Sequence, residues 1–147
     1  MVRLWGTTMI SYRKLRRYKY ELLEDVSTKI KIKPDYNVLT NYCKLIDTGE
    51  LTVYKGYAWD GASGPTYDDK TNMGSSLIHD VCYQLIREGY LEKTYRLEAD
   101  EMLRDISVKN GMNKVRAWYW FQAVRKLAWF CAKRTDEPQD MVYTAPI

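Results

Sequence analysis

The residues with the clearest chemical potential form one short run, His79-Asp80-Val81-Cys82-Tyr83. His79 is the only histidine of the chain. An imidazole has an ordinary pKa of about 6.5, so it can take a proton from water near neutral pH. Asp80 follows directly, and a carboxylate can bind a hard cation such as calcium, which prefers oxygen ligands. The run therefore predicts a water-activating site that combines a base with a cation ligand.

A turn-rich loop before this run can complete the cation site. It begins after Trp59 and contains Asp60, Gly61 and Gly64. The glycines permit sharp bends that turn backbone carbonyls toward an ion, and Asp60 adds a second carboxylate. We expect Asp80, Asp60, Gly61 and Gly64 to bind calcium together.

Two further residues are candidates for support of the base. Tyr83 lies one helical turn after His79 and faces the same way, so its hydroxyl can join a hydrogen-bond network. Asp100 lies at the edge of the apolar stripe of the next helix. There it can accept a hydrogen bond from one imidazole nitrogen, which fixes the tautomer and leaves the other nitrogen as the base. The predicted catalytic residues are His79, Asp100 and Tyr83.

The hydrophobic pattern predicts an α+β fold within a single domain of residues 1–147. Alternating residues before position 68 indicate a short antiparallel sheet of three to five strands in residues 12–68, from segments 18–23, 27–32, 41–46 and 51–54. Residues 69–134 then change to a helical period, with helices expected at 72–88, 94–109 and 113–134. Residues 135–147 are expected to form an extended tail.

The first two helices should form an antiparallel pair, because only about five residues connect them. In the first helix the buried stripe recurs every four residues, and its members are Met73, Leu77, Val81 and Leu85. Asp68, Asp69 and Thr71 are expected to cap its start. This pairing would bring the early part of the second helix, with Asp100, beside the late part of the first.

The distribution of residues around the third helix predicts an interaction surface. One side is apolar, while Arg125 and Lys126 lie on a basic side together with Trp118 and Trp129. Such a face suits anionic lipid or a protein partner. A core helix with two semi-exposed tryptophans explains the same pattern about as well.

Composition sets the outer bounds. A chain of 147 residues with 46% hydrophobic residues can form one core, and no apolar run is long enough to cross a membrane. The first residues do not resemble a signal peptide, and three cysteines indicate free thiols. The net charge is only +4, and no nucleic-acid fold signature accompanies it, so a solvated basic face is favoured over nucleic-acid binding.

The motif resembles that of the phospholipase A2 superfamily, whose helix carries His-Asp-x-Cys-Tyr. Here His79, Asp80, Cys82 and Tyr83 match it, and Asp100 resembles the aspartate that orients the histidine in that superfamily. The resemblance implies a calcium-dependent hydrolase of lipid esters. The loop lacks the superfamily's full glycine pattern, and the disulfides of its secreted members have no counterpart here.

Residues 50–128 resemble more closely the DUF1353 family of tailed bacteriophages and prophages. Its hallmarks look like four segments of this chain: Asp60-Gly61-Ala62-Ser63 with Pro65, Ile78-His79-Asp80 with Tyr83, Ala99-Asp100, and Ala123-Val124-Arg125. This resemblance carries no settled function. It implies a phage protein of the virion or the host cytoplasm, with other virion proteins or a lipid surface as partners.

Two functions therefore remain open at the level of sequence. The first is a calcium-dependent ester hydrolase that uses His79. The second is a non-catalytic virion or host-interaction protein, in which the histidine and aspartates form a buried network that fixes the fold. Nucleic-acid binding and a peptidase-like or zinc site on Asp60, His79 and Asp80 are lesser alternatives, because zinc usually takes several histidines or cysteines.

Overall fold

The computed structural model of the protein describes residues 8–15, 20–62 and 66–133, of which 127–133 enter only as helical backbone. Within these residues, seven short β-strands precede three α-helices and one 3₁₀ turn. The α+β class and the order of the two parts agree with the sequence prediction. The tail predicted at residues 135–147 lies outside the described residues.

The predicted antiparallel strands before the helices are confirmed, but within the described residues they form two sheets with seven strands in all and not one sheet of three to five. The three-stranded sheet has the order β1-β2-β7, with β1 at Tyr12–Lys14, β2 at Tyr20–Leu22 and β7 at Ala58–Trp59. The four-stranded sheet has the order β3-β6-β5-β4, with β3 at Val26–Lys29, β4 at Val38–Leu39, β5 at Cys43–Leu45 and β6 at Glu50–Val53. The strands that the sequence missed have two or three residues each, too few for an alternating pattern.

The helices follow the hydrophobic pattern closely. They are α1 at Met73–Arg87, α2 at Arg96–Lys109 and α3 at Lys114–Lys133, and a 3₁₀ turn at Lys93–Tyr95 leads into α2. Each predicted helix is confirmed to within two residues at both ends. Long amphipathic segments are the elements that periodicity identifies best, because the pattern repeats over several turns.

Helices α1 and α2 pack side by side in opposite directions. The hydroxyl oxygens of Ser75 and Ser107 lie 2.7 Å apart. Four residues further along α1, His79 contacts Asp100, which lies seven residues before Ser107 on α2. The stripe of α1 is confirmed as core, since none of its residues is more than 4% exposed: Met73, Leu77, Val81 and Leu85. The two hydroxyls hydrogen-bond to each other in this contact, and each also has a backbone carbonyl as a possible acceptor, that of Asn72 for Ser75 and that of Leu103 for Ser107.

The cap predicted for α1 was wrong. Asn72 occupies the cap position and makes no side-chain hydrogen bond to the helix. Asp69 instead accepts hydrogen bonds from Thr71 and, at 2.5 Å, from Arg116 of α3. A partly buried carboxylate gains more from a guanidinium than from the helix end, because charge-assisted hydrogen bonds are stronger.

Strand β7, which precedes the loop that begins at Asp60, packs against α1. Trp59 of β7 is 2% exposed, and its Nε1 donates a hydrogen bond to the hydroxyl of Ser76 at 3.2 Å. Its ring centroid lies 5.7 Å from that of Tyr20 and 5.8 Å from that of Tyr12. The loop that begins at Asp60 therefore leaves from a rigid point beside α1.

Helix α3 covers the outer side of α2. Its buried residues form a second apolar cluster with α2 and the α2–α3 connection, made of Leu103, Met112, Ala117, Trp120 and Val124. Asn113 caps α3, because its Oδ1 accepts hydrogen bonds from the backbone N–H groups of Val115 and Arg116. Among the described helices, none is both long and apolar enough to span a bilayer.

Candidate functional site

A buried carboxylate on α2 is the centre of the site. The side chain of Asp100 is fully buried, and its Oδ1 lies 2.7 Å from Nε2 of His79. The same oxygen accepts a hydrogen bond from the hydroxyl of Tyr83, and Oδ2 accepts one from Nη1 of Arg125 at 2.8 Å. Because these donors belong to α1 and α3, one carboxylate joins all three helices. The structure thus brings together the three residues predicted to be catalytic.

The hydrogen bonds define where the proton of His79 lies. Burial favours a raised pKa for Asp100, but the bonds from His79, Tyr83 and Arg125 outweigh it and lower that pKa below its ordinary value. The carboxylate is therefore ionised and can only accept hydrogen bonds. Nε2 of His79 must then be the donor, and in the neutral ring the lone pair is left on Nδ1.

The free nitrogen of His79 faces the neighbouring carboxylate. Nδ1 lies 3.7 Å from Oδ1 of Asp80. The His79 side chain is 8% exposed and that of Asp80 is 28% exposed, so the boundary with solvent lies on the Asp80 side of the ring. Burial lowers the pKa of His79, but Asp100 and Asp80 raise it more, and the net change is upward. The ring is therefore a stronger base than a free imidazole.

Tyr83 holds the imidazole from its edge. The two ring centroids are 4.1 Å apart, and the ring planes meet at 83°. Burial and the hydrogen bond to Asp100 raise the pKa of Tyr83 well above its ordinary value, so the hydroxyl keeps its proton and remains a donor. Tyr83 and Asp100 together fix both the tilt and the tautomer of the ring.

The predicted cation ligands lie partly in the described structure. Burial raises the pKa of Asp80, and the charge of nearby Asp60 raises it further, while His79 acts in the opposite direction. Two carboxylates whose charges disfavour each other are a suitable pair for a cation, which removes that repulsion. Among the described residues, no three or more acidic, histidine or cysteine side chains are arranged so that they could hold a metal ion by themselves. A calcium ion here would therefore draw its other oxygens from backbone carbonyls and water, and this is chemistry that calcium accepts.

The loop that begins at Asp60 is held by Asp68, for which the sequence predicted a different role. Asp68, expected to cap α1, accepts hydrogen bonds from the hydroxyl of Tyr20 at 2.6 Å and from the backbone N–H of Ala62 at 2.8 Å. Gly61 has a φ of +80°, and a Cβ there would lie 2.7 Å from Asp68. Only glycine fits this close bend. Gly64, also predicted to help bind the cation, lies outside the described residues.

The predicted interaction surface on α3 is exposed where it is described. The side chain of Trp118 is 56% exposed, and Lys126 is exposed as well. Arg125 is 34% exposed but turns one nitrogen inward to Asp100. The side chain of Trp129 lies outside the described part of α3. The remaining residues keep an aromatic group and positive charge on one outer face.

Arg125 is the site residue whose inward contact the sequence did not reveal. It was assigned to the surface because arginine on the polar side of a helix usually remains solvated. The available signal is its position directly after Val124, which is buried in the α2–α3 contact. A long side chain at that boundary can reach back into the contact, just as Asp100 lies beside buried Ala99.

The fold and this geometry define an α+β protein with a buried histidine–aspartate pair between two helices. The family described as "Protein of unknown function (DUF1353)" matches residues 36–124, more than half of the chain. The protein belongs to this family, as its motifs predicted. The match includes Asp60, His79, Asp80 and Asp100 and ends just before Arg125. No curated protein and no solved structure shows a significant match to the chain.

Proposed function

We propose that the protein is a calcium-dependent ester hydrolase with a phospholipase A2-like His–Asp site. The observation that carries this proposal is the 2.7 Å contact between Nε2 of His79 and a fully buried, ionised Asp100. That contact places the free lone pair on Nδ1, on the side of the ring where Asp80 reaches solvent. A base of fixed orientation, with increased proton affinity, is what activation of a water molecule requires.

In the proposed reaction, Nδ1 of His79 takes one proton from a water molecule as the water oxygen forms a bond to the ester carbonyl carbon. The tetrahedral intermediate then breaks its bond to the leaving alkoxide, which receives that proton from Nδ1. Asp100 stabilises the imidazolium and keeps the ring oriented, and Tyr83 supports Asp100. Asp80 and Asp60, with carbonyls of the loop that contains Gly61 and Gly64, would hold a calcium ion that polarises the carbonyl.

The outer face of α3 supports a lipid as the ester. Trp118 and Lys126 lie exposed on a helix that has no acidic residue along its length. Indole rings and basic side chains favour the interface of an anionic membrane. The family resemblance further supports a phage protein, present in the virion or in the host cytoplasm.

The burial of His79 favours a second candidate. With only 8% of its side chain exposed, and with a network that joins three helices, His79 also suits a purely structural role. A fully satisfied polar network can specify one packing arrangement without any chemistry. Under this alternative the protein is a non-catalytic virion or host-interaction protein.

One assay separates the two candidates. Hydrolysis of a short-chain ester and of phospholipid vesicles is measured with calcium and with chelator, for the wild type, His79→Ala and Ser75→Ala. Ser75→Ala is the matched control, because it also removes a buried α1–α2 hydrogen bond. Chelator-sensitive activity in the wild type and the control, lost in His79→Ala, supports the hydrolase. A wild type without activity, together with a strongly destabilised His79→Ala, supports the structural role.

A further inference from the structure

We propose that Arg125 is a positioning residue, which sets the orientation of the Asp100 carboxylate and through it the tautomer of His79. This role differs from the surface contact predicted for Arg125, and its effect on catalysis rests on the proposed function. Nη1 of Arg125 lies 2.8 Å from Oδ2 of Asp100, whereas His79 and Tyr83 both use Oδ1. Oδ1 of Asp100 thus accepts hydrogen bonds from α1, and Oδ2 accepts one from α3.

The covalent structure of aspartate does not fix this arrangement. Its χ2 is a torsion between tetrahedral and planar carbon, with a broad energy minimum, so the partners decide which oxygen points where. If only the two donors of α1 remained, each oxygen of Asp100 could take one of them. The contact from Nε2 of His79 would then lose its defined geometry, and Asp80, whose Oδ1 lies 3.7 Å from Nδ1, would compete for the ring proton. Arg125 prevents this rotation because it occupies Oδ2.

The charge of Arg125 has a second effect. Asp100 is completely buried, and a buried carboxylate without a cation is strongly disfavoured. In the proposed reaction His79 begins as a neutral ring and Tyr83 is neutral, so neither supplies a permanent charge. Arginine stays protonated at all relevant pH values, and its planar group holds a carboxylate in a defined plane.

The packing of α3 fixes where this charge lies. Val124, directly before Arg125, is 5% exposed and belongs to the same apolar cluster as Leu103 and Trp120. Leu103 lies three residues after Asp100 on α2, so the cluster and the ion pair share one interface. A change in the packing of α3 on α2 would therefore be transmitted to the imidazole through one side chain.

Nitrogen-15 labelling of histidine tests the proposal directly, because His79 is the only histidine and gives the only labelled ring. At an alkaline pH where the ring is neutral, the wild type should show the tautomer with the proton on Nε2. Arg125→Gln should populate both tautomers, and Arg125→Lys, which keeps the charge but not the planar group, should give a ratio between those of the wild type and Arg125→Gln. Arg116→Met is the matched control, since it removes another α3 arginine that binds an aspartate and should leave the ring unchanged.

Kinetics provides the second readout. Arg125→Gln should lower kcat by about 10- to 100-fold while KM changes little, because partners that orient a reacting group act on its geometry and not on substrate binding. Arg125→Lys should recover part of the loss.

A folded Arg125→Gln variant that keeps the wild-type tautomer would overturn the positioning role, whether or not the wild type hydrolyses esters. A tautomer change in a protein without hydrolytic activity would support the positioning role and count against the proposed function. If Arg125→Gln does not fold, Arg125→Lys decides. Lysine keeps the charge but cannot hold the carboxylate plane, so a ratio with a measurable share of the second tautomer supports the positioning role, and an unchanged wild-type ratio overturns it.

Discussion

Two arginines of α3 each bind an aspartate, but in different surroundings. Arg125 reaches Asp100, whose side chain is fully buried. Arg116 reaches Asp69, whose side chain is 29% exposed, and it also donates to the backbone carbonyl of Tyr67 and lies 4.1 Å from the centre of that ring. The outer pair has more partners for its guanidinium, and the inner pair has the more buried carboxylate, although Arg125 itself is 34% exposed and Arg116 only 24%.

The difference indicates that the burial of the carboxylate, and not the number of hydrogen bonds, decides how much an arginine–aspartate pair contributes to stability. When the outer pair is broken, water solvates both charges, and exposed pairs are worth at most about 1 kcal/mol. When Arg125 is removed, the charge of Asp100 stays in a place without access to solvent, at a cost of about 3–5 kcal/mol. The same two residue types thus act as a local clamp at one end of α3 and as a structural requirement near its middle.

The largest effect is expected from Asp100→Ala. The variant leaves the donors of His79, Tyr83 and Arg125 without their acceptor, so the free energy of unfolding should fall by about 3–5 kcal/mol. Urea denaturation followed by circular dichroism measures this loss. If Asp100→Ala lowered the free energy of unfolding by no more than Asp69→Ala does, burial would not distinguish the inner pair from the outer pair.

A smaller loss is expected from Tyr83→Phe, which keeps the ring packed on His79 and removes only the hydroxyl. A hydrogen bond to a charged group contributes about 1.5–3 kcal/mol, and the free energy of unfolding should fall by that amount. Tyr67→Phe is the matched control, because Tyr67 is 69% exposed and should lose almost nothing. Equal losses in the two variants would show that burial does not separate the two regions.

The outer clamp should contribute little. Arg116→Met and Asp69→Ala are each expected to lower the free energy of unfolding by about 1 kcal/mol or less. A double-mutant cycle on the two positions measures their coupling, which should also remain below about 1 kcal/mol. A coupling of several kcal/mol would mean that the clamp behaves like a buried pair despite its exposure.

The smallest expected effect is the pH dependence of the stability that Asp69 contributes. Burial favours a raised pKa for Asp69, but Thr71 and Arg116 lower it below its ordinary value of 3.8. The folded state therefore favours the ionised form, and this contribution is present above pH 3.8 and lost as the pH falls through the lowered value. The stability difference between the wild type and Asp69→Asn should be constant above about pH 5 and shrink on acidification. A difference that grows in acid would reverse the sign of the pKa shift.

The sequence predicts well those features that repeat. The stripe of α1 recurs over four helical turns, and all its members are buried, so both the helix and its inward face could be predicted. The positions of His79 and Tyr83 follow from the same geometry, since residues four apart share a helix face. Asp100 could be placed beside them because a short connection forces α2 to return along α1.

Features that depend on single tertiary contacts could not be predicted. Asp68 looks like a helix cap in the sequence, yet its partners are Tyr20, far away along the chain, and a loop N–H. Arg125 looks like a solvated residue until α3 is packed on α2. The two-residue strand of Ala58–Trp59 has no pattern of its own and exists because Tyr20 pairs with it.

The separation of Asp100 and Arg125 along the chain also affects the order in which the protein can fold during synthesis. Arg125 is made 25 residues after Asp100. While the ribosome still covers α3, the helices α1 and α2 can already meet through their apolar stripes, but the carboxylate of Asp100 lacks its cation. The imidazole can therefore reach its final state only after α3 has left the exit tunnel, so premature termination before residue 125 should leave a nascent hairpin with an uncompensated charge at its centre.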